Sequence, residues 1–204
     1  RRNSNSIFDT DYLNNLFLNY APQGSDIFKC FFSQESLFVY VDTCTVASPG
    51  RFFYDSSSSV GEFYDDIAVS YQNTKVEPVN SDLYVSPDGD DNNSGINPDE
   101  PLQTISRALI TIYCDEANPH TIHLAPGTYS RSLNGNTFAI AGRDYLTIRG
   151  DSYENTIIDC ENESNFAYGL SLNSFNLENI SFINPNDRWL PIWSRPAMRC
   201  TATI

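Results

Sequence analysis

The fold is decided by the stretch YVSPDGDDNNSGINPDEPLQTISRAL (84–109), followed by TIHLAPGTY (121–129). It opens on the alternating strand pattern of Leu83, Tyr84 and Val85 and continues into a polar loop over 87–95. Apolar residues then recur at helical spacing, so the sequence predicts an amphipathic helix over residues 102–114.

The apolar face of this predicted helix consists of Leu102, Ile105, Ala108, Leu109 and Ile112. Thr104 is the expected N-cap, or Asp99 if the helix starts at Pro101. We expect the apolar face to be buried against the β-structure that follows.

Short β-rich segments separated by Gly, Asn and Asp follow the helix. They are TIHLAPGTY (121–129), TFAIAG (137–142), DYLTIRG (144–150), NTIIDC (155–160), AYGLSLN (167–173) and LENISFIN (177–184). The first three segments recur as the last three, which predicts stacked coils of three short strands.

The predicted stacking pairs Ile122 with Ile157, Ile140 with Leu170 and Ile148 with Ile180. The partners recur in order at slightly uneven intervals, so the sequence predicts a solenoid of about two coils with turns of variable length. Such a coil buries its apolar residues only by stacking on copies of itself.

Residues 84–109 and 121–129 resemble the opening of a right-handed parallel β-helix of the pectin-lyase-like superfamily. They are most similar to its domain-of-unknown-function branch in bacterial secreted and surface proteins, and the resemblance spans roughly residues 82–184. It implies an all-β fold in which the helix lies across the N-terminal end of the β-helix, hiding the core and the strand edge there. Residues 187–204 depart from the family pattern, so we expect the β-helix to be truncated at its C-terminal end.

Residues 1–80 are expected to form a small β-rich, sandwich-like domain, separate from 81–204 by a short linker over 75–81. Residues 9–19 could form a short helix. Antiparallel strands are predicted over 27–32, 36–41, 51–54 and 66–71. The many Tyr and Phe residues here form either a sugar-stacking surface or the core of this domain.

The net charge of −14 and the pI of about 4.3 argue against a nucleic-acid partner, which needs clustered Lys and Arg. No apolar run is long enough for a membrane span. Of the five cysteines, Cys30 and Cys44 could form a disulfide, or all five could be small buried apolar residues.

A calcium site is the metal candidate, because Asp88, Asp90 and Asn92 alternate and Asp99 is the twelfth residue counted from Asp88. The glycine of an EF-hand loop belongs at the sixth position, where Asn93 stands. The alternative is a loop of Asx turns that leads into the helix.

Catalytic candidates are the charged residues near strand ends: Arg143, Asp144, Arg149, Asp151 and Asp159. The resemblance implies calcium-binding acids with a basic residue in lyases, or several Asp in hydrolases. An active site of this kind needs charged residues from several coils, and two coils hardly supply them. We therefore expect these five residues to be solvated charges in turns, and we expect no catalytic residue in this chain.

The two histidines, His120 and His123, are expected to face opposite sides of a strand and to form no metal site. In this arrangement His123 could line the core or the first turn of the solenoid.

The favoured hypothesis is a non-enzymatic, extracellular or cell-surface β-helix module that binds carbohydrate or mediates adhesion. Its partners would be polysaccharides, or further copies of the chain that associate through the open end of the β-helix. The alternative is the N-terminal fragment of a polysaccharide lyase or glycoside hydrolase whose active site lies downstream.

Overall fold

In the computed structural model the chain divides into two compact units, Arg1–Glu77 and Pro78–Ile204. Both are rich in β-strands, and every described strand pair is parallel. The residues that the structure describes are 6–7, 14–16, 27–30, 37–46, 54–57, 67–137, 140–141, 143–163, 167–168, 174–185 and 198–201.

The described strands of the first unit are β1 (Ser6–Ile7), β2 (Asn14–Leu16), β3 (Ile27–Cys30), β4 (Leu37–Val46), β5 (Tyr54–Ser57) and β6 (Ile67–Val76). β4 pairs with β1 and β2 on one side and with β6 on the other, while β3 pairs with β5. Leu37 lies opposite both Ser6 and Ile67, which precede and follow it along the chain by nearly equal intervals. The first unit therefore also repeats its strands in parallel at a near-constant spacing.

This pairing contradicts the antiparallel sandwich expected for residues 1–80. Strand propensity does not distinguish the two pairings, whereas the long connections between paired strands suit parallel crossovers better than hairpins. The helix predicted over 9–19 is also wrong, because Asn14–Leu16 is a strand that pairs with β4. Tertiary pairing overrides the local helical pattern here.

The first strand described in the second unit is β7 (Leu83–Val85), and its described part contains two short helices, α1 (Ile105–Thr111) and α2 (Arg131–Asn134). Its later described strands are β8 (His120–Leu124), β9 (Gly127–Tyr129), β10 (Ile140–Ala141), β11 (Leu146–Gly150), β12 (Thr156–Asp159), β13 (Ala167–Tyr168), β14 (Phe175–Glu178), β15 (Ser181–Ile183) and β16 (Met198–Thr201). None of the helices within the described ranges has the length and apolar character to cross a membrane.

These strands wind through three parallel sheets. The first sheet has the order β7-β8-β11-β14-β16, the second β9-β12-β15 and the third β10-β13. The chain returns to the first sheet three times after β8, so the solenoid has about three turns instead of the predicted two.

The predicted pairings were partly wrong in register. Ile122 pairs with Ile148 instead of Ile157, and Ile148 in turn pairs with Leu177 instead of Ile180. Each of the segments 121–129 and 177–184 contains two strands, separated by a short bend that the apolar pattern conceals. The remaining prediction, Ile140 with Leu170, joins the right segments, 137–142 and 167–173, but Ile140 lies opposite Ala167.

Stacked apolar residues fill the interior of the solenoid. Leu83, Ile122, Ile148 and Leu177 form one column across four strands of the first sheet and are buried. Tyr129 and Ile158 stack in the second sheet and are 0% exposed. Nearly identical positions in successive turns therefore supply one continuous core.

Helix α1 packs its apolar face on this core, as predicted, although it is shorter than 102–114. Ile105, Ala108 and Leu109 are 0% exposed and belong to the same apolar cluster as Leu83 and Ile122. Thr104 is the N-cap, because its side chain accepts a hydrogen bond from the Arg107 N–H. The helix ends at Thr111 because Ile112 is already extended.

Residues 86–104, between β7 and α1, form what we call the edge-covering loop, because they pair with the outer edge of β7. This role was predicted for the helix. Tyr84 N donates to the Gly95 carbonyl (2.7 Å), and Leu102 N donates to the Tyr84 carbonyl (2.9 Å). Ser86 N in turn donates to the Leu102 carbonyl (2.9 Å). The first strand thus has backbone partners on both sides, which removes an unpaired edge.

Two glycines make this close approach possible. A Cβ on Gly89 would lie 2.3 Å from the Leu102 carbonyl oxygen, well inside van der Waals contact. Gly95 has φ +70°, a left-handed conformation that glycine adopts without strain. The two glycines of the "DGDDNNSG" sequence (88–95) therefore allow the loop to pair with the edge of β7.

We expect Ile105→Asp to lower the free energy of unfolding by about 3–5 kcal/mol, because it places a carboxylate in a dry site. The matched control is Ile96→Asp, since Ile96 is 52% exposed and the same change there should cost less than about 0.5 kcal/mol. Urea unfolding of both variants measures the difference. Equal stabilities of the two variants would contradict the packing of α1 on the core.

Candidate functional site

A row of outward-facing side chains crosses the first sheet of the second unit. Tyr84, His123, Arg149 and Glu178 are register partners on four neighbouring strands, and we call them the outer row. The residues beside them in each strand point into the core. Four side chains that are distant in sequence thus form one continuous line on the surface.

The first two members of the outer row form a ring stack. The centroids of the Tyr84 and His123 rings are 4.9 Å apart, and their planes are inclined by 17°. His123 therefore lies on the outer face and does not line the core. The stack fixes the orientation of both rings.

A cleft of about 310 Å³ adjoins the stack. Its walls include Tyr84 and His123 on one side and Arg149 and Asp151 from the next turn, together with Pro98 and Pro101 of the edge-covering loop. Two aromatic rings and two pyrrolidine rings thus line the cleft together with the polar side chains of Arg149 and Asp151. This mixture is the usual composition of a ligand site.

Asp82 connects both histidines at the margin of the cleft. His123 Nε2 lies 3.1 Å from one Asp82 carboxylate oxygen, and His120 Nδ1 lies 3.3 Å from the other. The two histidines were expected to face opposite sides of the strand, yet both contact this one carboxylate. The described residues nonetheless contain no group of three or more His, Cys, Asp or Glu that could hold a metal ion.

Two opposing effects act on the pKa of Asp82. Partial burial acts to raise it, but the Thr121 backbone N–H (2.9 Å) and the two imidazoles stabilise the carboxylate. These hydrogen bonds prevail, so the pKa of Asp82 lies below its ordinary value. The carboxylate therefore stays charged beside the cleft over the whole neutral range.

The residues of the predicted calcium site lie in the edge-covering loop. Asp88, Asp90, Asn92 and Asp99 are all exposed. Asp90 Oδ1 accepts hydrogen bonds from the backbone N–H (2.9 Å) and side-chain amide (2.8 Å) of Asn92, and the Asp99 N–H donates to Asn97 Oδ1 (2.8 Å). These are the Asx turns of the alternative interpretation.

Asp91, which the sequence analysis did not single out, holds this loop to α1. Its Oδ1 accepts hydrogen bonds from Gln103 N (3.0 Å) and Thr104 N (2.8 Å), and its Oδ2 accepts one from Thr104 Oγ1 (2.8 Å). The Ile105 N–H is satisfied by Asn136 Oδ1 (2.9 Å), a buried amide from after α2. Asp91 and Asn136 therefore satisfy N–H groups at the start of the helix, where no intrahelical acceptor exists.

The structure separates the catalytic candidates. Arg149 and Asp151 line the cleft, but Asp159 accepts hydrogen bonds from Glu161 N (2.9 Å) and Asn184 Nδ2 (2.9 Å) in a turn. Arg143 is not a solvated turn charge, because it is partly buried and its Nη1 donates to the Ile112 carbonyl (2.7 Å). Burial lowers the pKa of Arg143, and its bond satisfies a carbonyl at the end of α1.

Three cysteines lie where their side chains are described. Cys44 is 0% exposed and packs with Val39 and Val41, and Cys160 belongs to the core of the solenoid. Cys114 is half-buried, and burial raises its pKa to about 11, so it is a thiol at neutral pH. These positions suit the interpretation as small apolar residues. The Cys30 side chain lies outside the described residues, as do most of the aromatic side chains of residues 1–80.

The outer row could have been found in the sequence from one signal. Each member stands directly beside a buried apolar residue of its strand, as in Leu83-Tyr84-Val85, Ile122-His123-Leu124 and Leu177-Glu178. Only the correct register, however, shows that these outward positions are neighbours.

Comparison with known proteins found a family match. Residues 87–169 match a family described as "Protein of unknown function (DUF1565)". The matched segment contains most of the edge-covering loop, α1 and the strands from β8 to β13. Searches of curated proteins and of solved structures found no significant match.

We expect Asp91→Ala to destabilise the protein by about 2 kcal/mol, because three hydrogen bonds to one carboxylate are lost at the start of α1. Asp90→Ala is the matched control, since it removes bonds within the loop only and should cost less than about 1 kcal/mol. Calorimetric melts in EDTA measure both changes. Equal losses in the two variants would contradict the connecting role of Asp91.

The same melts in saturating calcium test the metal site. At ~100 times Kd, a bound ion would add ~2.7 kcal/mol to the wild type and nothing to Asp90→Ala. We expect coincident melts with and without calcium. A calcium-dependent rise that Asp90→Ala abolishes would instead establish the site.

We expect Asp82→Asn to lower stability at pH 7 by about 1 kcal/mol, a value reduced because the side chain is 45% exposed. A carboxyl group whose pKa is lowered by folding stabilises the protein above its unfolded pKa of about 3.9 and loses this effect as the pH falls through the folded pKa. The difference from wild type should therefore shrink below about pH 4. Urea unfolding between pH 3 and pH 7 measures it, with exposed Asp88→Asn as the control. A difference that is as large at pH 3 as at pH 7 would contradict this role of the carboxylate.

Proposed function

We propose that this chain is an extracellular or cell-surface β-helix module that binds polysaccharide through the outer row and its cleft, without catalysing a reaction. The observation that carries the proposal is the stack of Tyr84 on His123 at the wall of a cleft of about 310 Å³. The family match includes His123 and Arg149 of the outer row but neither Tyr84 nor Glu178, and it carries no activity. The resemblance to the pectin-lyase-like superfamily and its secreted members supports the location.

The shape of the site suits a linear polymer. At the usual strand spacing of about 4.8 Å, the four members of the outer row extend over roughly 14 Å. Tyr84, Pro98 and Pro101 offer flat apolar surfaces against which the C–H faces of a sugar ring pack. The Arg149 and Asp151 side chains supply a donor and an acceptor for hydroxyl groups.

The charges favour binding over catalysis. Arg149 Nε lies 2.6 Å from Glu178 Oε2, and a guanidinium held in such an ion pair has no site that accepts a proton, as a catalytic base must. Arg143 and Asp159 are held in other parts of the fold by their own hydrogen bonds. A net charge of −14 also disfavours nucleic acid as the polymer.

The test is affinity electrophoresis through gels that contain either galactomannan, a neutral polymer, or polygalacturonate, an acidic one. We expect the wild type to be retarded by a polysaccharide. Tyr84→Ala should weaken this binding by about 10-fold to 100-fold, since burial of an aromatic ring contributes ~1.5–3 kcal/mol.

Two further variants complete the design. Tyr84→Phe keeps the ring and should bind like the wild type. Tyr113→Ala removes an exposed tyrosine that does not line the cleft and should also retain binding. A wild type that neither polymer retards would overturn the proposal, and unchanged binding by a folded Tyr84→Ala would remove the cleft as the site.

A further inference from the structure

The two basic side chains that line the cleft, Arg149 and His123, each contact a carboxylate. Arg149 and Glu178 form an ion pair of 2.6 Å in which their side chains are 45% and 32% exposed. His123 contacts Asp82 at 3.1 Å. Among the described residues that line the cleft, Asp151 adds a negative charge of its own.

The Arg149–Glu178 pair follows from the register of the solenoid. β11 and β14 place the two residues directly opposite each other on the outer face. Opposite charges at such cross-strand positions attract each other. One turn of the coil thus supplies the Arg149 guanidinium, and the next turn supplies the Glu178 carboxylate that pairs with it.

This arrangement disfavours an acidic ligand. A uronate carboxylate that approached Arg149 would meet a guanidinium whose charge Glu178 already balances, and it would lie close to the like charge of Glu178. It would also meet Asp151 and the field of a chain with a net charge of −14. A neutral sugar carries no charge to be repelled, and its hydroxyl groups can bond to the ion pair as it stands.

We propose that the cleft selects uncharged polysaccharides, and that Glu178 is the residue that excludes acidic ones. This inference rests on the proposed function, because it names the class of polymer that the same cleft takes. Specificity then comes from an unfavourable contact with the wrong ligand as much as from favourable contacts with the right one.

The test compares Glu178→Gln with Glu163→Gln in the galactomannan and polygalacturonate gels. Both substitutions raise the net charge by one, and both release an arginine from an ion pair, since Arg131 lies 2.9 Å from Glu163. Arg131 does not line the cleft. We expect Glu178→Gln to bind polygalacturonate about tenfold more tightly than the wild type, and Glu163→Gln to show no such gain.

A second measurement uses the wild type alone. If acidic polymer is repelled from the cleft, any weak retardation by polygalacturonate should increase with salt, since salt screens the repulsion. Retardation that falls with salt would show an attractive contact and would overturn the inference.

The outcomes separate the two proposals. Retardation by neither polymer removes the proposed function itself. Binding of galactomannan with no gain in Glu178→Gln, or with an equal gain in Glu163→Gln, overturns the role of Glu178 and leaves the binding module standing. A wild type that prefers polygalacturonate overturns the selection of neutral polymers.

Discussion

The first strand of a parallel coil has a neighbour on one side only, so its outer edge and the apolar interior behind it would both face water. The second unit meets this constraint with two separate elements. The loop carrying Gly95 and Leu102 supplies backbone partners for β7, and α1 covers the core with Ile105 and Leu109. Asp91 connects the two, since its carboxylate belongs to the loop and its donors lie at the start of the helix. The walls of the cleft depend on the same loop, which contributes Pro98 and Pro101.

The sequence predicted the part of this structure that rests on periodicity. The apolar face of α1 and its Thr104 cap are visible in the spacing of the residues, and the structure confirms both. It did not predict that an irregular loop would pair with β7, because backbone hydrogen bonds leave no trace in side-chain patterns. The number of turns was too low because bends as short as Ala125-Pro126 lie inside apolar runs. Parallel pairing in the first unit was missed because strand propensity does not distinguish the two pairing directions.

The candidate site depends on register, which explains why it was harder to find. Pairing Ile148 with Ile180 instead of Leu177 shifts the whole strand, and it moves Glu178 away from Arg149. His120 and His123 come together at Asp82, which is distant from both along the chain, since β7 and β8 are neighbours in the sheet. Arg149 and Asp151 were correctly noted as strand-end charges, but the aromatic wall beside them was not.

The N-terminal cap has one property that bears on how the chain acquires its structure. The described hydrogen-bond partners of its loop and helix come from the contiguous stretch 79–143, from Val79, which bonds to Thr111 and Tyr113, to Arg143, which bonds to the Ile112 carbonyl. During synthesis this stretch leaves the ribosome before any of the later turns exist, so the cap can be complete while β11 is still being made. We therefore expect each new turn to pair with the open backbone groups of the turn before it, so that the solenoid forms from the N-terminal end of the unit. The cap would thus set the register of the first turn, and a shift in its register would be passed on to every turn that follows.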